Sequence, residues 1–204
     1  MDIPQNRFVR HEDVFAQRIV EMQQIFLINE RIPQKTFREG FAVWKFMDFS
    51  LALDPAFWLA LRSSPALQSD EIINVQAIVP DARLYKERFG HFAAFSLSIN
   101  CDPGLYSACM LYDPGGSPAD AVQHIASVIC WWGSSRTWGF WGERDLGIVI
   151  GGTSGNFSNW LPTLSKAVDS SAMALEQIIA LEFRDQIIPP EFVKDFARHY
   201  NHVG

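Results

Sequence analysis

The sequence predicts an α+β fold, in which a central, mostly antiparallel sheet is packed with N-terminal and C-terminal helices. Amphipathic helical periods open and close the chain, strand-like segments lie between them, and strict β-α-β alternation is absent. The length of 204 residues is typical of one compact domain. We therefore expect a single α+β domain over residues 1–204.

The N-terminal quarter is predicted to contain two helices with a strand between them. Apolar residues recur every three or four positions over residues 11–31, which predicts an amphipathic helix. Residues 41–48 are aromatic and apolar without a clear period, and we interpret them as a strand. Residues 54–63 begin with Asp-Pro, the pattern of an N-cap followed by proline at the first helical position, so a short helix is expected there.

The middle of the chain is predicted to contain strands and one helix. Residues 72–79 are rich in β-branched side chains and residues 91–99 alternate in polarity, so both are predicted strands. Residues 106–112 are interpreted as a third strand. A helix is predicted over residues 118–129, because it follows a turn of Pro-Gly-Gly and begins with Ser-Pro.

The C-terminal part is predicted to contain one buried strand and two helices. Residues 145–150 are a short apolar run that ends at two glycines, which is typical of a buried strand. Residues 169–183 have a helical period. A last helix is predicted over residues 190–196, after a Pro-Pro pair.

The charge balance limits the partners that the chain can attract. The formal net charge is -6, from 17 Lys and Arg against 23 Asp and Glu, and no basic patch occurs. Binding to nucleic acid or to an anionic membrane is therefore not expected. Neither an N-terminal signal segment nor an apolar stretch of about 18 residues is present, so we expect a cytoplasmic protein. Three cysteines without C-x-x-C spacing predict free thiols.

Motifs for catalysis and cofactor binding are incomplete. The glycines of residues 151–155 lack the spacing of a dinucleotide-binding turn, and no Walker-type phosphate loop occurs. His11-Glu12 begins a zinc-protease motif whose second histidine is missing. Residues 115–119 approximate a nucleophile elbow, but Pro118 lacks the backbone N–H that the oxyanion hole needs. We assign no catalytic residue, no metal ligand and no cofactor.

The segment from residue 131 to residue 145 stands out from the rest of the chain. It holds four of the seven tryptophans, interleaved with glycines and bounded by charged residues. Glycine and serine favour a loop, and tryptophan and arginine are enriched at binding hot spots. We therefore predict that this segment carries a protein-binding site, although Trp131 and Trp141 are expected to be mostly buried.

The candidate binding residues of this segment are Arg136, Trp138, Trp141, Glu143, Arg144 and Asp145. In this interpretation the two tryptophans anchor the partner, because a large rigid ring gains much contact for little entropy. The two carboxylates meet positive charge on the partner, and the two arginines fix its register.

Two short segments resemble the small acidic immunity proteins that bacteria pair with polymorphic toxins. They are residues 53–58 (Leu-Asp-Pro-Ala-Phe-Trp) and residues 138–146 (Trp-Gly-Phe-Trp-Gly-Glu-Arg-Asp-Leu). The resemblance implies a cytoplasmic single-domain protein that binds a cognate toxin, often a nuclease, and has no catalysis of its own. The acidic composition agrees with a basic partner.

Two other hypotheses stay open at the level of the sequence. The first is a small hydrolase-like enzyme acting on a polar or sugar-like substrate, with Glu143 or Asp145 as acid or base and tryptophans stacking on the ligand. A perturbed carboxylate in a pocket beside Trp141 would support it. The second makes the aromatic segment the interface of a homo-oligomer.

Overall fold

The centre of the structure is one antiparallel sheet, seen in a computed structural model that describes residues 4–64, 67, 70–155 and 166–201. The strands are β1 (Ala42–Asp48), β2 (Ile72–Val79), β3 (Ala94–Ser98), β4 (Val128–Gly133), β5 (Trp138–Glu143) and β6 (Ile148–Thr153). They are ordered β1-β6-β5-β4-β2-β3, and every neighbouring pair is antiparallel. The predicted α+β class is confirmed.

Helices and short 3-10 turns surround this sheet. The α-helices are α1 (Glu12–Met22), α2 (Phe49–Leu53), α3 (Pro55–Ser63), α4 (Ala82–Phe89), α5 (Pro103–Met110), α6 (Val122–Ile125), α7 (Ser171–Gln177) and α8 (Pro190–Tyr200). The 3-10 turns are Pro4–Arg7, Pro118–Asp120, Arg144–Leu146, Ile179–Glu182 and Arg184–Gln186.

Several helices begin where an aspartate side chain accepts a backbone N–H. Asp48, Asp54, Asp81 and Asp102 do this for α2, α3, α4 and α5, at donor–acceptor distances of 2.7 to 2.8 Å. Such caps satisfy donors that a helix leaves unpaired in its first turn. Prolines at the starts of α3, α5 and α8 add a backbone angle that already suits a helix. The predicted starts of α3 and α8 are therefore confirmed.

Both faces of the sheet are buried. Trp131 and Trp138 belong to the core cluster on one face, whereas Trp132 and Trp141 belong to the cluster on the other. Helices α2 to α6 contribute to the first cluster; α7, α8 and the connection over residues 25–37 contribute to the second. Helix α1 contributes to both. The sheet is therefore the middle layer between two helical layers.

Two glycines make room for aromatic rings on the second face. Gly139 of β5 and Gly152 of β6 lie opposite each other in the ladder. A Cβ atom on Gly139 would come within 2.5 Å of the Phe26 ring, and one on Gly152 within 2.5 Å of the Trp44 ring. Any side chain at either position would displace a core ring. The glycines that suggested a loop in the sequence are therefore packing positions inside strands.

Each edge of the sheet is partly covered by a short segment from elsewhere in the chain. On the β3 edge, Phe8 bridges to Phe95, and the Val9 N–H donates to the Ala94 carbonyl at 2.8 Å. On the β1 edge, residues 46 and 168 exchange two backbone hydrogen bonds of 2.8 and 2.9 Å. These contacts occupy edge groups that could otherwise pair with another chain.

A buried cation joins α1 to the sheet. Arg18 is 4% exposed and donates to the carbonyls of Val75 and Phe95 at 2.9 and 3.0 Å, and to the hydroxyl of Ser96. Its guanidinium also lies 5.2 Å from the centroid of the Trp132 ring. Burial lowers the pKa of Arg18 to about 9. The charge is therefore held by carbonyl dipoles and an aromatic face.

The predicted strand over residues 106–112 is wrong, because these residues lie largely in α5. Asp102 caps the N-terminus of this helix, and Pro103 is its first residue. Its buried residues Tyr106, Cys109 and Met110 are three and four positions apart, as one face of a helix requires. The cap and the spacing outweigh the β-forming residue types.

The predicted helix over residues 118–129 is also corrected. It is broken into a 3-10 turn and α6, which ends at Ile125, and β4 begins at Val128. The β-branched residues near the end of this segment pair with β2 instead of continuing the helix.

Other boundaries differ from the sequence prediction. Helix α1 ends at Met22 instead of continuing through residue 31, and α7 ends at Gln177 before a 3-10 turn. Strand β3 is shorter than residues 91–99, and β6 includes the two glycines that were expected to end it. The last helix extends beyond residue 196 to Tyr200.

His91 is buried in an aromatic cage. The rings of Phe8, Tyr85 and Tyr112 lie 4.6, 5.3 and 5.9 Å from its centroid. Its Nδ1 atom is 3.2 Å from the Phe92 carbonyl oxygen, and its Nε2 atom has no hydrogen-bond partner among the described residues. Burial lowers the pKa of this imidazole.

We expect acid to destabilise the fold through His91. The folded protein keeps the imidazole neutral, whereas the unfolded chain binds a proton near pH 6.5. The contribution to stability is therefore intact above about pH 6.5 and is lost below it, by up to about 1.4 kcal/mol per pH unit until the folded-state pKa is reached.

Urea unfolding between about pH 8 and pH 5 measures this effect. The matched variant is His91→Phe, which keeps a ring in the cage and removes the titrating group. Its unfolding free energy should fall less with acid than that of the wild type. Equal acid sensitivity of the two proteins would contradict the role of His91.

Candidate functional site

The four tryptophans of residues 131–145 are core residues on two strands and do not lie in an exposed loop. Strands β4 and β5 form a hairpin, and Trp131, Trp132, Trp138 and Trp141 are each at most 1% exposed. The expected burial of Trp131 and Trp141 is confirmed. We expected Trp138 and Trp141 to contact a partner at the surface. This expectation is corrected, because both rings lie inside the core clusters that cover the sheet.

A buried carboxylate holds the turn of this hairpin. Asp70 is 2% exposed and accepts hydrogen bonds from the Ser134 hydroxyl, from the backbone N–H and hydroxyl of Ser135, and from Nε1 of Trp138. The Trp138 bond is 2.6 Å long, and the two hydroxyl bonds are 3.0 Å. Asp70 thus fixes the turn and the Trp138 ring together. No motif in the sequence marks this role.

Arg136 is exposed at the same turn. Its backbone has a φ of 60°, the left-handed region that residues with a Cβ atom rarely adopt. Its N–H donates to the Gly133 carbonyl at 3.0 Å, which closes the turn. The side chain of Arg136 is exposed to solvent. Hairpin turns usually have glycine at a position with this backbone geometry.

Glu143 ends β5 and is buried, with 7% of its surface exposed. Its carboxylate accepts the Ile32 N–H at 2.9 Å and the Trp141 Nε1–H at 2.8 Å. Burial raises the pKa of Glu143, while these two hydrogen bonds and the nearby Arg31 oppose the rise. The carboxylate joins the connection over residues 25–37 to the hairpin.

The last two predicted binding residues lie in the 3-10 turn after β5. The Arg144 Nε atom donates to the Ala126 carbonyl at 2.9 Å, its guanidinium also donates to Gln123, and it lies 4.9 Å from the Phe49 ring centroid. Arg144 is half-buried and Asp145 is exposed. In this turn the carboxylate of Asp145 is therefore exposed to solvent, whereas the guanidinium of Arg144 is held by backbone carbonyls.

The structure does not bring the six predicted residues to one surface. Arg136 and Asp145 are exposed at opposite ends of β5, and the two tryptophans and Glu143 between them are internal. Successive side chains of β5 point to opposite faces of the sheet. Both faces are covered, so none of these side chains reaches the surface. Sequence reasoning did not identify Asp70 as a functional or structural site. The only local feature of Asp70 is its position as an acidic residue shortly before β2.

The geometry gives little support to an acid–base pair at residues 143 and 145. Glu143 is occupied by two internal donors, whereas Asp145 faces solvent. Four open cavities among the described residues, of 330 to 580 Å³, are lined by neither carboxylate. The perturbed carboxylate beside Trp141 is therefore a structural acceptor and not part of one of these cavities.

The described part of the chain also bears on metal binding, membrane insertion and thiol chemistry. No group of three or more His, Cys, Asp or Glu there is arranged to hold a metal ion. Among the helices described, none combines the length and the apolar character that a membrane span requires. Cys101, Cys109 and Cys130 form no disulfide bond, and burial raises the pKa of Cys101 to about 11 and that of Cys130 well above its usual value. Both thiols are thus held protonated near neutral pH.

Comparison of the chain with models of protein families, with curated proteins and with solved structures finds no match. Its function is therefore inferred from its own residues and contacts.

We expect Asp70→Asn to lower the free energy of unfolding by about 3 kcal/mol. Asparagine keeps one acceptor oxygen but replaces the other by an NH₂ group that faces N–H and O–H donors. The matched control is Asp145→Asn, the same chemical change at an exposed carboxylate, which should alter stability by no more than about 0.5 kcal/mol. Urea unfolding followed by tryptophan fluorescence measures both; equal losses would show that the Asp70 contacts add nothing.

We expect Arg136→Gly to raise the free energy of unfolding by up to about 1 kcal/mol, because glycine adopts a φ of 60° without steric cost. Arg136→Ala is the control, since it removes the charge but keeps the Cβ atom. Thermal unfolding of the two variants separates the backbone effect from the charge effect. A glycine variant no more stable than the alanine variant would rule out strain at this turn.

Proposed function

We propose that this chain is a non-catalytic protein-binding module that acts as an immunity protein and neutralises a cognate bacterial toxin by direct binding. One observation carries the proposal: the four buried charged side chains of the described residues, three acidic and one basic, are held by internal contacts, and the rest of the chain still has more acidic than basic side chains. An acidic surface suits association with a basic protein.

Four buried charged residues illustrate the first half of this observation. Arg18 binds carbonyls of the sheet, Asp70 the hairpin turn, and Glu143 the connection to β5. Asp120 lies 3.3 Å from the Arg88 guanidinium. Each group has a partner supplied by the fold. The hydrolase-like alternative needs such a group to be free for a substrate.

The composition illustrates the second half: without these four residues the chain has 16 Lys and Arg against 20 Asp and Glu, a net charge of -4. A charge of this size creates a long-range field that speeds encounter with a positively charged partner and discourages self-association. Toxins that cleave nucleic acid need positive charge to bind the phosphate backbone. An acidic protein that covers such a surface would block the substrate without any chemistry of its own.

A cytoplasmic location is part of this proposal. The three cysteines of the chain form no disulfide bond, which agrees with a reducing compartment.

The proposal predicts that the chain captures one stoichiometric, basic partner that is toxic by itself. Tagged protein is used to retain partners from a lysate of the host, and the retained chain is identified by mass spectrometry. The partner is then expressed in a second bacterium, alone and together with this chain. Growth arrest by the partner alone and recovery on co-expression are expected.

The control for this experiment is the Asp70→Asn variant, whose weakened hairpin should lower the amount of folded protein and the degree of protection together. A retained partner that is harmless to growth, or whose toxicity this chain does not relieve, would overturn the immunity role. Failure to retain any partner would overturn the binding role as well.

A further inference from the structure

A second turn lies against the turn that carries Asp145. The 3-10 turn Ile179–Glu182 contacts the 3-10 turn Arg144–Leu146. A Cβ atom on Gly147, just after the latter turn, would come within 2.9 Å of Glu182 Oε1. Asp145 and Glu182 therefore belong to neighbouring turns on one part of the surface, although they are far apart in sequence.

Two large aliphatic side chains are exposed in the segment that begins at the second turn. Leu181 is 59% exposed and Ile187 is 71% exposed, and Ile187 has the highest exposed fraction of the large hydrophobic residues in the described part of the chain. Single exposed apolar residues are common on protein surfaces. Leu181 and Ile187 lie within one segment of seven residues, which also carries the exposed carboxylates of Glu182 and Asp185.

The segment between these aliphatic residues is attached to the core. Phe183 packs edge-on against Phe192 at a centroid distance of 5.4 Å, and Phe192 stacks on Phe196 at 6.3 Å. Phe196 is fully buried in the second core cluster. The rings therefore hold residues 181–187 in place while Ile187 points away from the core. A surface that is ordered before binding loses less entropy when a partner binds.

The backbone of this segment is unusual. Asp185 and Gln186 both have left-handed geometry, with φ of 57° and 56°. The Gln186 N–H donates to the Phe183 carbonyl at 2.9 Å, and the Ile187 N–H donates to Arg184 at 3.2 Å. Two successive left-handed residues with Cβ atoms persist only where surrounding contacts fix them, and such geometry concentrates at functional sites.

The charges around the aliphatic residues do not balance. Arg184 lies 3.6 Å from the carboxylate of its neighbour Asp185, and Arg144 is tied to backbone carbonyls. Asp145 and Glu182 take part in none of the ion pairs found among the described residues. Leu181 is thus next in sequence to the exposed carboxylate of Glu182, and the exposed carboxylate of Asp145 belongs to the neighbouring turn.

We propose that Leu181 and Ile187, flanked by Asp145 and Glu182, are the docking surface for the protein partner, whose own contact site is an apolar pocket rimmed by lysine or arginine. This inference rests on the proposed function and adds the place and the chemistry of the contact. A second copy of the chain is a poorer occupant, because a two-fold dimer would bring the same acidic side chains together.

Site-specific photo-crosslinking tests the place of contact. Benzoylphenylalanine replaces Ile187 in one full-length protein and Leu84 in another; Leu84 is the matched control because it is 57% exposed on α4. Both proteins are irradiated in host lysate. We expect one crosslinked species, containing a different and basic polypeptide, from position 187, and none containing that polypeptide from position 84.

Affinity measurements with the crosslinked polypeptide, purified, test the chemistry. Ile187→Ser and Leu181→Ser should each raise Kd by about tenfold or more, whereas Leu84→Ser should leave it unchanged. Glu182→Lys should slow association and reduce its dependence on salt. Because Ile187 is largely exposed, Ile187→Ser should melt at the same temperature as the wild type, which separates lost binding from lost folding.

The possible failures are distinguishable. A partner that crosslinks equally at both positions, or whose Kd is unchanged by Ile187→Ser and Leu181→Ser, overturns this surface and leaves the proposed function standing. A crosslink from position 187 to a second copy of this chain overturns the choice of occupant. The absence of any crosslinked partner, together with failure to retain one on tagged protein, overturns both proposals.

Discussion

The β4–β5 hairpin must be covered on both faces at once, and the rest of the structure depends on that constraint. Its tryptophans alternate between the faces, so exposure of either face would leave large rings in water. Strands β2 and β6 cover its edges, and helices from the two halves of the chain cover its faces. The buried carboxylates of Asp70 and Glu143 accept hydrogen bonds from the Nε1 atoms of Trp138 and Trp141, so these two donors have partners inside the core.

This constraint also decides where a partner can bind. A tryptophan that fills a core cannot reach another protein without unfolding that core. The contact surface must therefore be built from side chains that the packing leaves outside. Asp145 and the segment over residues 181–187 meet this condition, and that segment remains attached to the core through Phe183. In the proposed function, stability and recognition therefore depend on different residues.

Local signals predicted a large part of the fold from sequence. The Asp-Pro start of α3, the Pro-Pro start of α8 and the β-branched run of β2 each act within a few residues. The hairpin was not predictable in this way, since Gly139 is explained only by the ring of Phe26, more than a hundred residues away. Asp145 was predicted as a binding residue because its charge lies beside the tryptophan segment, and its position in a 3-10 turn instead of at the start of a strand was not foreseen. The exposure of Ile187 depends on tertiary packing, which the sequence pattern does not record.

The pairing of β1 with β6 has a consequence for how the protein is made. Asp48 lies opposite Ile148, so the ribosome adds about a hundred residues after β1 before its partner strand exists. At about 5–20 residues per second this interval lasts roughly 5–20 seconds. During synthesis an apolar strand therefore waits without its neighbour while β2 to β5 can already associate. The sheet is therefore completed in an order different from that in which its strands are translated.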